Sequence, residues 1–113
     1  MSKNAITPII LQTMLHGTVD ETYKYMNSDG LEGAVNFLRV VNELDVPIFV
    51  SFDGIYAHEY VKANDFIDIN NQLCHPNSNK KSLFKKYTKV YVKRGTDIPK
   101  GGIVSVTGFY LEN

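Results

Sequence analysis

The sequence predicts an all-β domain, an antiparallel β-sandwich or small barrel of the Ig-like or jelly-roll-like kind. Three observations support this prediction: short segments rich in Val, Ile and Phe, turn residues about every ten positions between them, and no repeating strand–helix pattern. The chain of 113 residues has the length of one domain. Its composition, 43% hydrophobic and 21% charged, is that of an ordinary globular protein.

Two strands near the middle of the chain are the clearest elements. Residues 34–42 (AVNFLRVVN) and 46–53 (VPIFVSFD) are rich in β-branched and aromatic side chains, and the short polar connection between them predicts an adjacent antiparallel pair. Alternate side chains of the second strand predict its core face: Val46, Ile48, Val50 and Phe52. Pro47 has no N–H, so it must begin this strand or lie on an edge. Asp53 and Gly54 end the strand with a turn.

Three further strands are predicted in the second half of the chain: residues 66–70, 87–94 and 102–111. Val90 and Val92 alternate with charged and aromatic neighbours, so both valines should face the core. Residues 95–101 (GTDIPKG) have turn chemistry and precede the last strand. Gly108 interrupts that strand, which predicts a bulge or a close backbone approach.

The N-terminal segment differs from this block of strands. Residues 1–33 are predicted to be an arm or peripheral segment, and residues 34–113 the sandwich domain. One apolar run in the segment is either an arm that contacts a neighbouring subunit or an ordinary first strand: Ile9, Ile10 and Leu11.

A short helix or turn is expected in residues 18–26 (TVDETYKYM). Thr18 is a residue type that caps helices, and Asp20 and Glu21 follow where a helix start favours acidic side chains. The loop-forming residues 27–33 (NSDGLEG) then separate this segment from the main strands.

The charges are unevenly distributed along the chain although the formal net charge is zero. Ten of the twelve acids lie in residues 20–68. A basic block follows, which is our candidate interaction surface: Lys80, Lys81, Lys85, Lys86, Lys89, Lys93 and Arg94. The block is a solvated face, a contact for the acidic side of a neighbouring copy, or a nucleic-acid contact with Tyr87 and Tyr91 as stacking platforms. Because the whole molecule is neutral and its apolar runs are short, no membrane association is expected.

No complete catalytic or metal-binding set is found in the sequence, so we predict a non-enzyme without a cofactor. His58 begins an HEYVK segment in which Lys62 occupies the place of the second histidine of a zinc-protease helix. Cys74, the only cysteine, excludes an intrachain disulfide and suits a reducing compartment. Its neighbour His75 should point the opposite way in an extended chain, which disfavours a thiolate–imidazole pair.

One alternative is an enzyme. Residues 70–77 (NNQLCHPN), followed by 97–101 (DIPKG) and Tyr110, resemble the carboxyl half of SET-domain lysine methyltransferases. This resemblance implies S-adenosylmethionine bound beside the first stretch and a tyrosine in the lysine channel. Gln72 stands where that family has histidine, and the family's amino-terminal glycine motif is not found.

A broader resemblance covers about two thirds of the chain. Five segments carry it: 37–42 (FLRVVN), 46–54 (VPIFVSFDG), 58–61 (HEYV), 89–93 (KVYVK) and 106–110 (VTGFY). In this order they resemble small structural proteins of tailed bacteriophages. The resemblance implies a β-sandwich subunit made in the cytoplasm of a bacterial host and built into the virion, as a head–tail connector, tail-ring or capsid-decoration protein. Its expected partners are copies of itself and other virion proteins.

Overall fold

The computed structural model describes residues 5–33, 35–70 and 84–112, which form nine strands and one short 3-10 helix. The strands are β1 (Ala5–Pro8), β2 (Gln12–Leu15), β3 (Lys24–Tyr25), β4 (Val35–Asn42), β5 (Ile48–Ser51), β6 (Glu59–Val61), β7 (Asp65–Asn70), β8 (Tyr91–Arg94) and β9 (Ile103–Glu112), and the 3-10 helix is His16–Thr18. Within these residues no helix has the length and apolar character needed to cross a membrane.

The strands form two antiparallel sheets whose inner faces pack together. Sheet A has the order β1–β9–β4–β7, with β2 also paired to β9, and sheet B has the order β3–β8–β5–β6. The fully buried core side chains come from both sheets and include Leu38, Val40, Ile48, Val50, Val92, Val104 and Val106. The predicted all-β antiparallel sandwich is therefore confirmed.

The predicted alternation of the central strands is also confirmed. Val90 and Val92 are fully buried, and so are Ile48 and Val50 on the predicted core face of β5. Phe52 is half-buried and packs against the core cluster. Pro47 directly precedes β5, where its missing N–H removes no ladder hydrogen bond.

The predicted antiparallel pairing of residues 34–42 with 46–53 is wrong. β4 pairs with β7 and β9 in sheet A, whereas β5 pairs with β6 and β8 in sheet B. The connection between β4 and β5 therefore crosses from one sheet to the other. A short polar connection is compatible with a hairpin or with a crossover, and in the crossover seen here it is bonded to the side chain of Asn42.

Asn42 holds this crossover from inside the protein, where it is fully buried. Its Nδ2 lies 2.9, 3.2 and 3.0 Å from the carbonyl oxygens of Val46, Val61 and Lys62. Its Oδ1 accepts a hydrogen bond of 3.0 Å from the backbone N–H of Leu44. These bonds connect Leu44 and Val46 of the crossover with the end of β6, and they give buried backbone groups the partners that such groups need.

The described part of the predicted arm contributes to both sheets. β1 and β2 lie along β9 at the edge of sheet A, and β3 lies along β8 at the edge of sheet B. Four side chains of this segment are buried in the core cluster besides Ile9: Met14, Val19, Met26 and Leu31. The segment thus supplies core and edges of the sandwich.

A short helix or a turn was expected in residues 18–26, and no helix begins there. The 3-10 helix ends at Thr18, and the chain then runs beside β8, where the Arg94 N–H donates to the Asp20 carbonyl at 2.8 Å. Both ends of the stretch are anchored by the buried side chains of Val19 and Met26. Tertiary pairing therefore overrides the local capping signal.

The close backbone approach predicted at Gly108 is confirmed. A Cβ atom there would collide with the carbonyl oxygen of Phe37 on β4. On the other side of β9, the Ile9 N–H donates to the Gly108 carbonyl at 3.0 Å. Glycine is therefore required where β4 and the N-terminal edge both approach the last strand.

Candidate interaction surfaces

The first surface is a bulge on the edge of sheet A. Pro8 pairs with Phe109 and Gln12 pairs with Val106, so three residues of the edge, 9–11, oppose two residues of β9. Such an extra residue bends the edge and breaks its regular row of hydrogen-bonding groups. We call this region the N-terminal edge, and it consists of residues 9–11 together with Leu15.

The bulge divides the predicted arm residues into two kinds. Ile9 is 7% exposed and belongs to the core, whereas Ile10 and Leu11 are 66% and 59% exposed. Leu15, further along the same edge, is 63% exposed. The backbone N–H of Ile10 is already used, because it donates to Glu32 Oε1 at 2.5 Å. The N-terminal edge therefore offers apolar side chains rather than free strand backbone to a partner.

The second surface is the outer face of sheet B, which carries part of the predicted basic block. We call it the lysine–aromatic face. It consists of Tyr23, Tyr25, Phe49, Tyr60, Lys89, Tyr91 and Lys93. Neighbouring rings on it are in contact, since the Tyr25 and Tyr91 centroids are 6.4 Å apart and those of Phe49 and Tyr60 are 5.3 Å apart. Such aromatic pairs stabilise a surface beyond the area that they bury.

The two lysines of this face lie over aromatic rings. Lys89 Nζ is 4.7 Å from the centroid of the Tyr25 ring, and Lys93 Nζ is 4.8 Å from that of Tyr23 and 5.8 Å from that of Phe49. These are cation–π distances. Among the residues that the structure describes, no ion pair involves either lysine. Their charges are therefore balanced by ring faces and solvent instead of carboxylates.

Of the other block residues that the structure describes, Lys85, Lys86 and Arg94 lie outside this face. Lys80 and Lys81 lie outside the described residues. Lys85 and Lys86 are exposed in the turn before β8, and Lys86 Nζ lies 5.1 Å from the centroid of the adjacent Tyr87 ring. Arg94 turns to the following loop, where its Nη1 donates to the Gly95 carbonyl at 3.0 Å. The described residues of the predicted block therefore occupy three places: the lysine–aromatic face, the turn before β8 and the loop after it.

The acidic and basic segments of the sequence are neighbours in the fold. β3 belongs to the acidic half of the chain and pairs with β8 from the basic block. Asp20 forms an ion pair of 3.7 Å with Lys24 at this edge. At this edge, acidic and basic residues of the two segments therefore lie beside each other.

A third surface is the turn that follows β5. Asp53 Oδ1 accepts hydrogen bonds from the N–H groups of Tyr56 (3.0 Å) and Ile55 (2.8 Å) and from the Ser51 hydroxyl (2.9 Å). The backbone hydrogen bonds from Tyr56 and Ile55 are the main reason that the pKa of Asp53 is lowered to about 2. The turn holds Ile55 and Tyr56 in solvent, 71% and 69% exposed.

The side chains of Ser51, Asp53 and His58 are placed to stabilise this turn, not as a nucleophile with its base. His58 Nδ1 accepts a hydrogen bond of 3.0 Å from the Phe52 N–H, and His58 Nε2 lies 3.8 Å from Asp53 Oδ2. The Ser51 hydroxyl is directed to Asp53, not to the imidazole. A serine nucleophile needs its base within hydrogen-bond reach, so this set fixes the turn instead. Sequence reasoning recognised Asp53 and Gly54 as a turn but missed the exposed apolar tip.

A fourth surface is the outer face of sheet A, where the charge of Arg39 is paired with that of Asp68. Arg39 Nε and Nη2 donate to Asp68 Oδ1 and Oδ2 at 2.6 and 2.9 Å. This bidentate bond lowers the pKa of Asp68. The Arg39 guanidinium also lies 4.9 Å from the centroid of the Phe66 ring and 5.9 Å from that of Phe37.

The residues of the methyltransferase alternative are only partly described. Gln72, Cys74 and His75 lie outside the described residues. Tyr110 is half-buried and packs against the core, with Gly33 directly against its ring.

Comparisons with models of protein families, with curated proteins and with solved structures found no match for this chain.

Proposed function

We propose that this chain is a structural subunit of a bacteriophage virion that works through protein–protein contacts. It is made in the cytoplasm of a bacterial host and assembles with copies of itself and with other virion proteins, as a head–tail connector, tail-ring or capsid-decoration subunit. The segments 37–42, 46–54, 58–61, 89–93 and 106–110, which resemble phage structural proteins, support this proposal.

The observation that carries the proposal is the grouping of exposed apolar side chains on a folded sandwich. In the described part of the chain, eleven large hydrophobic residues are exposed. Isolated exposed apolar residues are normal on a monomer, but grouped ones mark interaction sites. Ile10, Leu11 and Leu15 lie along one edge, and Ile55 and Tyr56 form the tip of one turn.

The N-terminal edge is suited to contact a neighbouring subunit through side chains. Its bulge disfavours open-ended strand addition, which is the hazard of an uncovered edge. Burying Ile10 and Leu11 against a neighbour would contribute about 1.5–3 kcal/mol for each side chain, before the cost of association. Many weak contacts of this size are sufficient in a ring or shell, because closure makes them act together.

Mass spectrometry of purified particles tests the location of the protein. We expect the intact chain in phage particles prepared from the bacterial host that produces it, in many copies per particle. A control preparation from the same lysate without particles should lack it. Absence of the chain from the particles would contradict the proposal.

Native mass spectrometry at rising protein concentration tests the contact. The pair of changes Ile10→Ser and Leu11→Ser should abolish the multimers formed by the unchanged chain, while circular dichroism keeps its β signature. Ile98→Ser is the matched control, since Ile98 is equally exposed at 70% but lies in a loop away from this edge. Equal loss of multimers in both variants would show that the N-terminal edge is not the contact.

A further inference from the structure

The lysine–aromatic face of sheet B has a feature that subunit assembly does not use. It combines two lysines that form no ion pair within the described part of the chain with a row of aromatic rings on four adjacent strands. We infer that this face binds single-stranded nucleic acid, with phosphates on Lys89 and Lys93 and bases on the rings of Tyr25, Tyr91, Phe49 and Tyr60. This inference does not depend on the presence of the protein in virions.

The first argument is charge complementarity. Lys89 and Lys93 lie over rings at 4.7 and 4.8 Å, and neither forms an ion pair with a carboxylate of the described residues. Arg39 on the opposite sheet also lies over a ring, but its charge is bonded to Asp68. The face of sheet B is therefore the one that an anionic partner can neutralise, and a phosphate backbone supplies anions at regular intervals.

The second argument is the supply of ring surface. Tyr25 and Tyr60 are about half exposed, at 49% and 50%, and each contacts a second ring of the same face. The Phe49–Tyr60 pair also lines two open hollows of about 160 and 420 Å³, which include Asp97 and Glu59, respectively, among their other lining residues. Unpaired bases stack on aromatic side chains of open sheets and of basic grooves.

These features favour a single strand over other anionic partners. An acidic protein segment would use the lysines through its carboxylates but would engage the rings only where it carries aromatic side chains of its own. In a duplex the bases are stacked on each other, so only the phosphates would be engaged. A single strand uses both parts of the face, which is why we commit to it.

Fluorescence anisotropy with a labelled 15-nucleotide oligo-dT and oligo-rU tests the inference. We expect binding that weakens as salt increases. Lys89→Gln with Lys93→Gln should reduce affinity at least tenfold and flatten the log–log salt slope by about 1.4, at about 0.7 per single-strand phosphate. Tyr25→Ser with Tyr60→Ser should reduce affinity about thirtyfold or more with the slope unchanged, because stacking contributes about 1–3 kcal/mol per base and carries no counterion release.

A matched control distinguishes the contribution of this face from that of the overall positive charge. Lys62→Gln with Lys100→Gln removes the same charge from exposed lysines elsewhere and should change affinity less than twofold. Because the chain contains seven tyrosines and no tryptophan, quenching of tyrosine emission reports stacking directly and does not require a variant. Absence of oligonucleotide binding, absence of quenching on binding, or equal competition by poly-glutamate and by duplex DNA would each overturn the inference.

Discussion

The outer faces of both sheets carry a cationic side chain over an aromatic ring, but only on sheet A does the structure pair that cation with a carboxylate. On sheet A, Arg39 lies over Phe66 and donates two hydrogen bonds to Asp68. On sheet B, Lys93 lies over Tyr23 and Phe49 with no carboxylate at ion-pair distance among the described residues. The charge of Arg39 on sheet A is therefore neutralised by Asp68, whereas the charge of Lys93 on sheet B is available to an anionic ligand.

Strand register produces this difference. Arg39 on β4 is directly opposite Asp68 on β7, so the two side chains meet across the strands. Lys93 on β8 is directly opposite Phe49 on β5, so the lysine meets a ring. The comparison shows that cross-strand neighbours, rather than the local sequence, decide whether a surface cation is neutralised.

The largest loss of stability is expected from removing the Asn42 side chain, which stabilises the connection between the two sheets. Asn42→Leu removes the hydrogen bonds to the carbonyls of the crossover and leaves the Leu44 N–H without a partner. Because buried unsatisfied groups cost about 1–3 kcal/mol each, we expect a loss of about 3 kcal/mol or more in the free energy of unfolding. Urea unfolding followed by circular dichroism measures it.

Asn36→Leu is the matched control for this change. Asn36 lies on the same strand but is half-buried, at the point where the β4–β9 register shifts. Its replacement should cost less than about 1 kcal/mol. Similar costs at the two positions would mean that Asn42 does not hold the crossover.

The sequence predicts the strands of this fold better than their partners. The alternation in residues 46–53 and 87–94 gave the core faces correctly, because a side-chain period of two is a local property. The position of β5 in the other sheet could not be predicted, because it depends on hydrogen bonds from Asn42 to Val61 and Lys62, which lie in a later part of the chain. Local patterns do not contain that information.

The same limit applies to the surfaces. The lysines and tyrosines before and within β8 were recognised as one block, and their alternation correctly predicts that Lys89 and Lys93 point outward. The rings beside Lys93 belong to Tyr23, which precedes β3, and to Phe49 on β5. Both residues are distant from Lys93 in the sequence, so the sequence alone could not predict this face. The bulge at residues 9–11 was likewise visible only once its register against β9 was known.

A smaller effect is expected at the turn that packs on the lysine–aromatic face. Gly54 has φ of +77°, and a Cβ atom there would lie 3.1 Å from the Tyr91 ring. Gly54→Ala should therefore cost about 1–2 kcal/mol, as expected for a non-glycine residue in the left-handed region. Thermal unfolding measures the cost, and tyrosine emission reports the displaced ring. Gly101→Ala, at a position with no atom within 4 Å, should change stability by less than about 0.5 kcal/mol.

Acid should weaken the same turn through Asp53. Its pKa is lowered from 3.8 to about 2 in the folded protein, so the carboxylate stabilises the fold at pH values above about 4. This contribution is lost as the pH falls through the window from 3.8 to about 2. The urea midpoint should decrease across that window, and Asp53→Asn should make the decrease shallower while keeping the amide oxygen as an acceptor. An unchanged pH profile in the variant would show that Asp53 does not contribute.

The smallest change in stability is expected from removing the carboxylate partner of Arg39, which leaves sheet A with an unpaired cation over a ring, as on sheet B. Asp68→Asn removes the carboxylate that neutralises Arg39 but leaves the guanidinium over Phe66. Exposed ion pairs contribute little, so the melting temperature should fall by no more than about 3 °C. The variant should also bind the labelled oligonucleotide at least about twofold more tightly at low salt, since a cation over a ring becomes available.

Asp65→Asn separates this local effect from the change in net charge. Asp65 begins the same strand and makes its hydrogen bond to the Phe66 N–H, which an asparagine oxygen can also accept. Asp65→Asn alters the net charge equally without releasing Arg39, so its oligonucleotide affinity should match that of the unchanged chain. If Asp65→Asn and Asp68→Asn increase binding equally, net charge alone accounts for the effect. The cross-strand pair would then not be what distinguishes the two faces.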